Sequence, residues 1–113
     1  MLLALAIFVQ SAFPSPLPFP DWRHSDKWLH LAVYGLLAAL VLRAAVATWP
    51  DRPLRRLMAA AVIVVSLYGA SDEWHQSFVA GRWADPLDWC ADTVGAIAGV
   101  LLAGLLRRRQ TLP

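Results

Sequence analysis

Cysteine and charge are both scarce in this sequence. A single cysteine, Cys90, among 113 residues excludes an internal disulfide and with it a disulfide-stapled scaffold. Charged residues make up 16% of the chain, against roughly 25% in soluble domains. A long-blocked apolar composition with so little charge disfavours a nucleic-acid binder, whose basic residues would cluster on a solvated face. No glycine-rich phosphate loop, serine nucleophile elbow or CxxC pair occurs, and there is no internal repeat. What the chain has instead is apolar bulk: 58% hydrophobic residues, six Trp and a mean hydropathy of +0.50. These residues lie in long blocks rather than scattered. A bilayer-spanning helix takes about 20 residues, so four blocks joined by short loops account for the length.

The blocks predict an all-α integral membrane four-helix bundle, one domain over 1–113, with helices near 1–13, 27–49, 54–78 and 87–107. The clearest apolar run covers 29–49 and stops at Pro50, where proline ends a helix. The run from Leu57 reaches the needed length only if 54–56 and 72–78 extend the helix at its two ends. The last run contains Asp92 near its start and ends at Arg107, Arg108 and Arg109. The first block is short, since 13 residues rise only about 20 Å against a hydrocarbon core of about 30 Å. It lacks a basic n-region and a small-x-small cleavage site, so it is expected to be a retained, truncated helix with its true start upstream, rather than a signal peptide. Pro14, Pro16, Pro18 and Pro20 then predict an extended linker.

Four spans sort the loops onto two sides. Arg43, Arg52, Arg55, Arg56, Arg107, Arg108 and Arg109 lie toward one side with Asp51 alone. The other holds Arg23, Lys27 and Arg82 with Asp21, Asp26, Asp72, Glu73, Asp85, Asp88 and Asp92. Lys and Arg set topology, so both termini and the Pro50 to Arg56 loop are expected in the cytoplasm of a bacterial cytoplasmic membrane protein. The acidic side is then external. Trp22, Trp28, Trp74, Trp83 and Trp89 fall on it, at headgroup level.

The unusual polar residues collect at the external helix ends. Asp26, His30 and Tyr34 share one stripe at i, i+4, i+8. Tyr68, Asp72 and Gln76 repeat the spacing, with His75 one position off. Asp88 and Asp92 stand one turn apart on a stripe that continues into Gly95, Gly99 and Ala103, where Gly95-x-x-x-Gly99 permits close helix approach. Ionisable groups at the edge of hydrocarbon are costly and must face one another or a wet cavity. Four readings stay open. The set is an ion-paired plug fixing helix register. Or His30 with Asp26, Asp72, Asp88 or Asp92 ligates a cation, a reading weakened by the lack of an H-x-x-x-H or E-x-x-H pair, so that no metal or cofactor is assigned. Or His30, Asp72, Glu73 and His75 supply acid–base catalysis. Or Lys27 and Arg82 grip an anionic ligand while Trp28, Trp74 and Trp83 stack on its apolar or sugar part. Transport is disfavoured, because the cytoplasmic half offers only Arg43 and Ser66 as polar residues.

At these residues the chain resembles the VanZ-like family of small bacterial membrane proteins, named after an accessory protein of glycopeptide resistance that raises teicoplanin tolerance. Asp26-Lys27-x-x-His30-x-x-x-Tyr34 resembles the family's first motif, and Asp72-Glu73-Trp74-His75-Gln76-Ser77-Phe78 with Gly81-Arg82 resembles its second. Asp85-x-x-Asp88-x-x-x-Asp92-x-x-Gly95-x-x-x-Gly99 follows at the family's spacing. Two positions depart: many members have Pro at Ala80 and Asn at Asp92. The first helix is also short against the family pattern. The resemblance implies a four-helix membrane domain and a link to the cell envelope or glycopeptide tolerance, but no established reaction. The expectation is therefore an external pocket of Asp26, Lys27, His30, Tyr34, Asp72, Glu73, Gln76, Arg82, Asp85, Asp88 and Asp92 that engages a lipid-linked or anionic envelope ligand. The rivals are an enzyme acting on a lipid or cell-wall precursor, and a structural module that meets an oligomeric or membrane partner through Gly95 and Gly99.

Overall fold

The computed structural model describes residues 1–13 and 25–110. It contains four helices: α1 (Leu2–Ser11), α2 (Ser25–Thr48), α3 (Leu54–Gln76) and α4 (Pro86–Gln110). The proline run, Asp21, Trp22 and Arg23 lie outside the described residues.

Each long helix is bounded by local chemistry. Pro50 follows the end of α2, and the Pro53 carbonyl accepts the Arg56 N–H at 2.9 Å to open α3. Asp85 caps α4 by accepting the Leu87 N–H at 2.9 Å, with Pro86 at the first helical position, where the missing N–H costs nothing. Two ends differ from expectation. Helix α3 stops at Gln76, because the Ser77 to Val79 amides turn back onto carbonyls of the last turn. Helix α4 runs through its arginines to Gln110, since these are good helix formers and their charge suits a helix C-terminus.

At 24, 23 and 25 residues, α2, α3 and α4 rise about 35 Å each. All three are long and apolar enough to cross a membrane. Helix α1 has 10 residues and rises only about 15 Å. It lies against α3 at the end of the bundle where α3 terminates, tied by the Ser11 hydroxyl to Asp72 at 2.9 Å and by the Tyr68 hydroxyl to the Ala4 carbonyl at 2.5 Å.

The most extensive packing is α2 on α4. A Cβ on Gly95 would overlap the Leu31 backbone, and one on Gly99 would overlap the Gly35 backbone, so the two helices touch main chain to main chain. Gly95 and Gly99 therefore face α2 within the chain. Around this seam Ala38, Ala61, Val65, Ala96 and Val100 are buried. Large apolar side chains such as Leu36, Ile63, Leu67, Leu101 and Leu105 point outward, the pattern of a bundle solvated by lipid. The basic residues from Arg52 to Arg56 and at the end of α4 lie at the end opposite α1's Ser11.

Candidate functional site

The antiparallel order brings the start of α2, the end of α3, the start of α4 and the end of α1 to one end. There the sequence's polar stripes become one network. Lys27 donates to Asp88 at 2.7 Å, to Asp85 at 2.8 Å and to Asp26 at 3.3 Å. One turn further in, His30 Nδ1 lies 2.7 Å from Asp92 Oδ1, within hydrogen-bond distance, with Asp88 Oδ2 3.9 Å from Nε2. Asp72 accepts from Ser11 at 2.9 Å, Gln76 at 3.1 Å and Tyr34 at 3.4 Å. Glu73 accepts the Asp85 N–H through Oε2 at 2.9 Å.

The network is acceptor-rich. Asp92 is fully buried, Asp72 and Glu73 are 4% and 7% exposed, and Asp72 Oδ1, Glu73 Oε1 and Asp92 Oδ2 have no hydrogen-bond partner among the described residues. Buried carboxylate oxygens left unpaired are costly. Outside the spans, the Lys27 ammonium holds the Asp85 carboxyl below the usual carboxylate range, helped by the Leu87 N–H.

Two cavities flank these groups. One, of about 60 Å³, lies between α1, α2 and α3 and is lined by Ser11, His30, Tyr34, Asp72 and Gln76 together with apolar side chains. The other, of about 290 Å³, opens between α3 and the start of α4 beside Glu73, Asp85, Trp74 and Trp89.

Several candidates stand elsewhere. Arg82 donates to the Phe13 and Gln10 carbonyls at 2.9 and 3.4 Å, covering the end of α1. His75 stacks on Phe8 with ring centroids 4.8 Å apart, away from His30. Trp28 and Trp83 are 70% and 90% exposed and point outward, as headgroup anchors do. Lys27 is already surrounded by three carboxylates, so its ammonium is not held out to an anion.

A model of the VanZ/LLP1 family matches residues 2–107. The chain belongs to the VanZ/LLP1 family. No curated protein matches it, and no solved structure does. It is a small membrane protein of this family, and Asp92, where the resemblance departs by replacing an amide with a carboxylate, is the residue that pairs with His30.

Two residues of this polar network escape the sequence reading. Ser11 is 1% exposed and joins α1 to Asp72. Its signal was weak, a lone serine in a short apolar helix. Gly69 makes room for Asp92: a Cβ there would stand 2.8 Å from Asp92 Oδ2, 3.1 Å from its Cβ and 3.2 Å from Tyr34 Cε1. A glycine inside a helix, which sacrifices stability relative to alanine, was the available clue. Gly69→Ala is expected to lower stability by about 1–3 kcal/mol, the usual range for overpacking, and to disturb the His30–Asp92 contact. Thermal unfolding in detergent together with the His30 imidazole NMR signals measures both. An unchanged melting temperature with unmoved His30 signals would refute it.

Proposed function

We propose that the protein binds a lipid-linked ligand of the bacterial cell envelope at the polar end of its bundle, on the outer side of the cytoplasmic membrane, and that this engagement contributes to tolerance of glycopeptides such as teicoplanin. The observation that carries the reading is the set of unpaired, buried carboxylate oxygens on Asp72, Glu73 and Asp92 beside two cavities. Such oxygens accept from hydroxyl, amide or ammonium donors, so a donor-rich headgroup is favoured. The cleft walled by Trp74 and Trp89 gives an amphiphile a side entry from the bilayer interface. The arginine-rich opposite end supports the orientation, and membership of the VanZ/LLP1 family supports the glycopeptide link.

The test pairs a biochemical with a cellular measurement. Protein purified in mild detergent after exposure to an envelope lipid extract is expected to retain a lipid-linked species detectable by native mass spectrometry, and Glu73→Gln is expected to lose it. Expression in a susceptible bacterium should raise the inhibitory concentration of teicoplanin, and His30→Ala should remove that rise. Retention of bulk phospholipid only, together with unchanged susceptibility, would overturn the reading.

A second reading, catalysis on a lipid or cell-wall precursor, is favoured by one observation. His30 at 2.7 Å from a buried carboxylate has the arrangement of an oriented general base. Turnover of envelope lipids by the purified protein, abolished in His30→Ala, would support it. Unaltered lipids after incubation would count against it.

A further inference from the structure

Helix packing places one residue from each spanning helix at the centre of the polar end: His30 from α2, Glu73 from α3 and Asp92 from α4. Each offers a ligand atom, and these atoms lie within 4.8 Å of one another. Ligand atoms that share one ion at bonds of about 2.0–2.2 Å stand roughly 3.3–3.6 Å apart in tetrahedral geometry, so the three side chains must close by about 1 Å to hold it.

The hydrogen bonding of the cluster favours cation binding over a packed acidic plug. Glu73 Oε1 and Asp92 Oδ2 are buried without a hydrogen-bond partner among the described residues, on side chains only 7% and 0% exposed. Among the described residues, the cations beside the cluster are bonded elsewhere. Lys27 is bonded to Asp26, Asp85 and Asp88, and Arg82 to carbonyls at the end of α1. The second carboxylate oxygen of Glu73 is held by the Asp85 N–H, and Asp88 lies 3.9 Å from the His30 ring. The Asp85 N–H fixes Glu73 in the way outer hydrogen bonds orient the ligands of metal centres.

We propose that His30, Glu73 and Asp92 bind a divalent first-row transition cation. Imidazole with carboxylates suits zinc, manganese or iron, and three protein ligands leave coordination positions for an exogenous group. His30 lines one of the two cavities and Glu73 the other. The inference rests on the polar end being a ligand site. The metal titration contains no lipid, so its failure and the failure of lipid retention are separate results.

Protein stripped with a chelator and exchanged into metal-free detergent buffer is titrated with zinc chloride. One zinc per chain is expected. Glu73→Gln and Asp92→Asn should each weaken binding by at least the roughly 10- to 100-fold that loss of an outer hydrogen-bond partner costs. Asp51→Asn, an exposed carboxylate at the opposite end, should bind as wild type does. X-ray absorption of the zinc-loaded wild-type protein keeps the test valid if a variant misfolds, and should show nitrogen and oxygen ligands including one imidazole. Zinc–sulfur scattering would assign the ion to Cys90 and overturn the proposal. So would equal zinc affinity in folded Asp92→Asn, or no stoichiometric binding by the wild type.

Discussion

Replacing Gly95 and Gly99 together by Leu is expected to abolish the folded bundle. A Cβ at either position would intrude on the backbone of α2, on Leu31 and Gly35 respectively, and main chain cannot rotate out of the way as a side-chain tip can. Ordinary overpacking costs about 1–3 kcal/mol. Overlap with main chain across a rigid helix pair belongs at or above the top of that range for each site. Together they take a large share of a stability of about 5–15 kcal/mol. Separating α2 from α4 also parts His30 from Asp92 and Lys27 from Asp88, so the site is lost with the interface. Gly104→Ala is the control. Its Cβ would meet only the flexible end of Met58, at 3.2 and 3.3 Å, and the gain in helix propensity offsets part of any crowding. Thermal melts of the purified proteins in one detergent decide the matter. A Gly95→Leu, Gly99→Leu protein that melts with the wild type would show that α2 and α4 do not meet as described.

The second large effect is expected from Lys27→Met. The substitution keeps the length of the side chain but leaves Asp26, Asp85 and Asp88 facing one another without the ammonium that now bonds all three. Lys27 is 21% exposed at its side chain and Asp88 only 11%, so water screens the loss in part. The cost is placed at about 2 kcal/mol, below the 3–5 kcal/mol of fully buried broken pairs. Adding Asp88→Asn should recover part of this, because it removes the repulsion that the first change exposes, and a double-mutant cycle reads the coupling. The variant should also change the acid limb of stability. Lys27 depresses the Asp85 carboxyl. That attraction is therefore present above the unfolded carboxylate pKa of about 3.9 and is lost as pH falls through the lower folded value. Lys27→Met should flatten this contribution. Equal stability of variant and wild type at neutral pH would remove Lys27 from its assigned role.

Much of this was legible in the sequence because the signals are local. Long apolar runs, prolines at their ends and the sorting of charge by side predicted the helices to within a few residues. The motif stripes predicted that Asp26, Lys27, His30, Asp72, Asp85, Asp88 and Asp92 would share one end. Other features depended on rotation about a helix axis, which spacing alone does not give. Helix α3 turns the face carrying Val65, Gly69, Asp72, Glu73 and Gln76 inward, so Glu73 faces the interior while its neighbour Trp74 stays 70% exposed. Arg82 was grouped with Lys27 by charge, yet it closes on the end of α1, whose approach no motif announced.

The sequence by itself determined that this is a helical membrane protein of the VanZ/LLP1 pattern with a polar end and a basic end. Apolar length and charge distribution are properties of single segments, and each segment must satisfy the bilayer on its own. Only the tertiary structure decided that His30 pairs with Asp92, 62 positions away, and that Glu73 joins them with an oxygen to spare. The physical reason is the close approach of Gly95 and Gly99 to the backbone of α2. It sets how far α4 sits from α2 and how each is turned, and with that which carboxylates of the acidic end meet the histidine.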